Sequence, residues 1–98
     1  MITKKINETI KRFREHPGVR GVIVMSNEGL PISADGVDMQ KAEKVAALIT
    51  SLVGKAKQVI TEIGEGTLGF FNIDCGKSEI LVAPEEEYVL VVLREKLT

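Results

Sequence analysis

The stretch from Asp38 to Gly64, DMQKAEKVAALITSLVGKAKQVITEIG, limits what this chain can fold into more than any other. It holds no proline. Asp38 can accept a hydrogen bond from the first backbone N–H groups of a helix, and Gly64 can end one in the left-handed region. A helix from Met39 to Ile63 would be roughly 37 Å long at 1.5 Å per residue. Ala42, Ala46, Ile49, Val53, Ala56, Ile60 and Ile63 follow alternating spacings of four and three, the pattern of a helix seam. Val45, Leu48, Leu52 and Val59 form a flanking row that widens the apolar face beyond what one small sheet needs to cover itself. Small residues at Ala47, Thr50, Ser51 and Gly54 run beside the band, where they would let a second helix backbone come close. Gly54 inside a helix costs up to about 1 kcal/mol against alanine, so it marks either close packing or a tolerated surface glycine.

The rest of the chain is strands and one short helix. Ile2, Ile6, Ile10 and Phe13 fall at helical spacing, with Lys4, Lys5, Lys11, Arg12 and Arg14 largely off that stripe, until His16-Pro17-Gly18 ends the pattern. VRGVIVMS reads as a strand apolar on both faces, with Val22 and Val24 on one side and Val19, Ile23 and Met25 on the other, hence central in a sheet. Ser26 to Gly29 makes a turn, and LPIS continues as an edge strand because Pro31 removes a ladder donor. After the long helix, Thr67–Cys75, SEILVA and YVLVVL predict a three-stranded meander. The last strand is apolar on both faces. The first, with Asn72 and Asp74 on one face, is an edge. The expected architecture is α+β, one antiparallel sheet covered by helices in the order α-β-β-α-β-β-β, with residues 1–98 as a single domain.

Composition excludes several functions. A net charge of −1 and 4% aromatic residues argue against nucleic acid as a partner. The single cysteine, Cys75, excludes an internal disulfide and a cysteine-rich metal site, and His16 has no companion ligands. No apolar run reaches membrane-spanning length, so no direct membrane insertion is expected, and the chain reads as soluble and cytoplasmic. Cys75-Gly-Lys-Ser78 imitates the end of a phosphate-binding loop, yet Phe71 stands where the earlier glycine belongs and a strand follows instead of a helix. Glu85, Glu86 and Glu87 read as a solvated turn. No nucleophile–base pair, separated carboxylate pair or glycine-rich cradle emerges. The expectation is a protein without catalytic residues, metal or cofactor.

Three segments resemble the roadblock/LC7 family: GVRGVIVMSNEGLPIS, GKAKQVITEI and SEILVAPEEEYVLVVL. The resemblance covers nearly the whole chain, and its short length is similar to roadblock-type dynein light chains and to small stand-alone prokaryotic or archaeal relatives. It implies a roadblock/LC7, profilin-like fold with a five-stranded antiparallel sheet between helices. It also implies dimers that pair their long helices and join the edge strands that follow. The implied role is a non-catalytic homodimeric scaffold or regulator of a Ras-like small GTPase or its complex, which could also pair with related roadblock proteins. The alternative is a structural light chain of a motor or other large assembly, binding a subunit segment independently of nucleotide. The resemblance assigns no catalytic residue, and Arg12, Arg14, Arg20 and Arg94 remain undistinguished as groups that could act on a partner. The candidate dimer contacts are Ala46, Ala47, Ile49, Thr50, Val53 and Gly54 on the helix, and Leu68, Phe70 and Asn72 on the Thr67–Cys75 strand that follows.

Overall fold

A computed structural model of the chain describes residues 2–96. The elements are α1 (Ile2–Arg14), β1 (Val19–Met25), β2 (Pro31–Asp35), α2 (Met39–Ile63), β3 (Phe71–Asp74), β4 (Ser78–Pro84) and β5 (Val89–Glu95). The strands form one antiparallel sheet in the order β2-β1-β5-β4-β3. β1 and β5 are interior, as their two-sided apolarity requires, and β2 and β3 are the edges.

The alternation of side chains along the strands divides the interior into two layers. Ile23, Met25, Val82, Val89 and Val91 meet Ala42, Ala46, Ile49 and Val53 of α2. On the other face Val22, Val24, Leu90 and Val92 meet Ile6 and Ile10 of α1, with Phe13 half-buried beside them. The side chain of Ile2 lies outside the described residues. Val19 departs from the expected alternation and packs on the α1 face. The register of β1 on β5 shifts between Val19 and Gly21, and one extra residue in a ladder moves every side chain beyond it to the opposite face.

α2 begins and ends where its caps dictate. Asp38 keeps an extended backbone while its carboxylate accepts from the Lys41 N–H at 2.8 Å. Gly64 takes φ +80° and donates its N–H to the carbonyls of Ile60 and Thr61. β3 is shorter than expected, Phe71–Asp74 in place of Thr67–Cys75. Continuing its register past Phe71 would set residue 69 against Pro84, which has no N–H to donate, and Gly69 adds no packing. β2 carries a bulge between the Val24 and Met25 pairings, next to Pro31.

Candidate functional site

The long helix and the edge strand after it hold most of the apolar surface that the fold leaves uncovered. In α2 the two apolar rows part company. Ala46, Ile49 and Val53, three of the expected dimer contacts, are buried in the core of their own chain, at 0%, 5% and 6% exposure. The sheet takes the row centred on them, which leaves them nothing to offer a partner. Of the flanking row, Val45 is half-buried against the core, whereas Leu48 at 73% exposure, Leu52 at 40% and Val59 at 55% stay outside, joined by Ile63 at 65%. A second stripe this apolar along one helix is more than isolated surface leucines explain. Ile63 belonged to the seam in the sequence pattern, yet at the last turn it has passed beyond the sheet.

The small residues divide too. Ala47, Ser51 and Gly54 are exposed, and a Cβ on Gly54 would meet nothing within 4 Å, so no neighbour in its own chain requires a glycine there. Thr50 is half-buried and is covered by the β1–β2 turn. A Cβ on Gly29, which sits at φ +94°, would stand 2.6 Å from its Oγ1. Thr50 is therefore taken up inside the chain and is not a free contact. Its Oγ1 is buried with no hydrogen-bond partner among the described residues.

Among the described residues β3 pairs only with β4, so its other backbone edge is open. Phe71 and Ile73 alternate onto the α2 face, and Asn72 and Asp74 onto the other. Phe70, just before the strand, is 66% exposed, whereas Leu68 is half-buried against the α2 layer. The polar face is knitted across three strands. Arg94 on β5 donates to Glu79 on β4, and Glu79 accepts from Asn72 Nδ2 on β3 at 2.9 Å. One step further, Lys96 pairs with Asp74. That bond, then the Gly76 N–H at 2.9 Å and the lysine charge, hold the Asp74 carboxyl below the usual aspartate range. These contacts tie the edge strand to the sheet and leave its outer N–H and C=O groups free.

The arginines are mostly engaged within the chain. Arg14 bonds Asp35 at 3.3 Å and the Val19 carbonyl at 3.1 Å, Arg94 holds Glu79, and Arg12 lies over the Phe13 ring. Arg20 is exposed on β1. Cys75 is exposed, and the Cys75–Ser78 segment is the β3–β4 hairpin turn, closed by Cys75 N–H to the Ser78 carbonyl at 2.8 Å. Among the described residues no group of three His, Cys, Asp or Glu is placed to hold a metal ion, and no helix is long and apolar enough to cross a membrane. What the arrangement offers chemically is association: an apolar helix stripe and a strand edge able to hydrogen-bond another strand.

The Roadblock/LC7 domain profile matches residues 5–94. The uncharacterized protein MJ0310 of Methanocaldococcus jannaschii is 29% identical over 90 residues, covering 92% of this chain and 79% of that one. Myxococcus xanthus MglB superposes with a TM-score of 0.84 at 21% identity, over 94% of this chain and 76% of the other. A Roadblock/LC7 domain from Streptomyces avermitilis gives 0.81 at 20% identity, over 88% and 74%. An MglB structure described as having a tetrameric arrangement gives 0.81 at 13% identity, over 94% and 71%. Likeness at these identities establishes the fold, and the five-stranded antiparallel sheet expected from the sequence is the one observed.

Proposed function

Because this chain belongs to the Roadblock/LC7 domain family, we propose that it is a non-catalytic homodimeric module of the cytoplasm that binds a Ras-like small GTPase or its complex. The observation that carries the pairing is the exposed row Leu48, Leu52, Val59 and Ile63 on the same molecule as an unprotected β3 edge. A second copy covers both at once. Its α2 lies on the exposed row, and its β3 adds to the open strand as a continuation of the sheet.

The two edges of the sheet differ in a way that favours β3. β2 carries Pro31, which has no N–H, a bulge at Met25, and Asp35 tied to Arg14, the devices that blunt an edge. β3 is a regular ladder with neither proline nor bulge in Phe71–Asp74. Of the expected contacts, Ala47, Gly54, Phe70 and Asn72 keep their place in the reading. Leu48, Leu52, Val59 and Ile63 replace the buried Ala46, Ile49 and Val53. The tetrameric arrangement named for one MglB structure supports self-association as a property of this fold.

The GTPase is the partner class that the family resemblance implies. Purified Ras-like GTPases from the same organism, loaded with GDP or a GTP analogue, are expected to bind the dimer with a preference for one nucleotide state. Absence of binding in both states would remove the GTPase from this reading and leave the pairing intact.

A further inference from the structure

The sheet face that carries α1 is only partly covered. Five strands about 4.8 Å apart span roughly 19 Å, whereas a single helix is about 10–12 Å across. α1 packs on the layer built by β1 and β5, and it ends at Arg14, shortly before Pro17 and Gly18. The same face of β4 and β3 therefore lies beside it as a shelf. A cleft of about 300 Å³ occupies that shelf, at the lower end of the range of small-ligand sites.

Two cross-strand rows make its floor. Val92, Leu81 and Asn72 stand opposite one another on β5, β4 and β3, and Arg94 stands opposite Glu79 in the next row. Phe13 flanks the floor from the last turns of α1, and Phe70 from the far side, just before β3. Phe70 is two-thirds exposed. His16, its ring centroid 5.8 Å from that of Phe13, closes the α1 end.

The polar groups of the floor are oriented by one carboxylate. Glu79, whose side chain is only 14% exposed, accepts from Arg94 through Oε1 and from Asn72 Nδ2 through Oε2. A carboxylate has no hydrogen to donate, so the amide must turn its nitrogen to Glu79 and leave Oδ1 over. Among the described residues neither Asn72 Oδ1 nor the remaining N–H groups of Arg94 have a hydrogen-bond partner. The cleft thus presents an acceptor and donors side by side, fixed on Glu79, above an apolar floor between two aromatic rings. An aliphatic ligand would leave the polar groups unmatched. A phosphate is not provided for, because Arg94 is the one Lys or Arg lining the cleft and is already paired with Glu79. A flat ring that carries an N–H beside an acceptor matches both the rings and the edge.

We infer that this cleft binds a nucleobase, as the free base or the nucleoside, stacked on Phe70 and Phe13 with its donor–acceptor edge on Asn72 Oδ1 and Arg94. All the walls come from one chain, so the site does not rest on the pairing proposed above. A strand added at the β3 edge lies in the plane of the sheet and leaves this face open.

The test titrates ¹⁵N-labelled protein with adenosine, guanosine and caffeine, following the backbone amides by NMR. Caffeine is a purine ring with methylated nitrogens, able to stack but without an N–H to donate. At least one nucleoside is expected to give saturable shifts confined to residues 13–19, 70–72, 79–81 and 92–94, with caffeine about tenfold weaker. Phe70→Leu is expected to weaken the nucleoside about tenfold and Asn72→Ala about fivefold. Both residues are exposed, and unchanged signals outside the cleft verify that each variant is folded. Absence of shifts at these residues with millimolar nucleoside would overturn the site. Caffeine binding as tightly as the nucleosides, or affinities indifferent to both substitutions, would overturn it equally.

Discussion

Thr50 is the residue where the interior is least satisfied. Its hydroxyl lies under the Gly29 turn with no partner among the described residues, and a buried polar atom in that state forfeits its hydration without return. Thr50→Val keeps the shape and removes the hydroxyl, so it is expected to stabilise the fold by about 1 kcal/mol, a rise in Tm of about 4–8 °C at fixed protein concentration. A fall in Tm would show that the hydroxyl is bonded after all. Gly36 stands at the opposite extreme. It sits at φ +80°, and a Cβ there would come within 2.1 Å of the Arg20 carbonyl oxygen. Gly36→Ala is expected to lose more than about 2 kcal/mol in urea denaturation. Asp74 supplies a pH signature. Its carboxyl is held below the ordinary 3.8 by Lys96 first and the Gly76 N–H second. The small stabilisation this gives is present above about pH 3.8 and is lost as the pH falls through the lowered value. In an NMR titration Lys96→Ala should move that midpoint upward, and an unmoved midpoint would break the assignment. At this scale the sequence was legible where a residue type has one use, as at Asp38 and Gly64. It was not legible at Val19, because a one-residue shift in a ladder leaves no mark in an apolar run, nor at Thr50, whose covering turn is distant in sequence.

Among the elements, α2 shows what periodicity can and cannot say. Its ends were readable because caps are local chemistry. The excess width of its apolar face was readable too, since a four-three repeat with a flanking row stands out in any composition. Which row the sheet would take was not, because that depends on how the helix is rotated over strands whose positions the period does not encode. The core took Ala46, Ile49 and Val53, and left Leu48, Leu52, Val59 and Ile63 outside. Two substitutions one residue apart separate these roles. Val53→Asp buries an unpaired charge and is expected to unfold the chain, seen as loss of the cooperative circular-dichroism transition. Leu52→Asp is expected to leave that transition in place and shift sedimentation to the monomer. If Leu52→Asp remained dimeric, the exposed row would not be the contact. β3 teaches the same lesson in the other direction. Its edge position was legible in Asn72 and Asp74, whereas its length was set by Pro84 on the neighbouring strand.

At the scale of the whole molecule, two features of one chain call for the same partner. In the proposed pairing, a helix with an uncovered apolar row and a sheet with one blunted and one open edge would both be completed by a second copy related by a two-fold axis. The pattern of residues carried the order of elements, the resemblance to roadblock/LC7 proteins carried the partner class, and the open edge and exposed row are what support the proposed assembly. Sedimentation equilibrium of the wild-type chain at micromolar concentration tests this most directly. A mass of twice 10.7 kDa is expected for the wild-type chain. A mass of 10.7 kDa across the whole concentration range would contradict it.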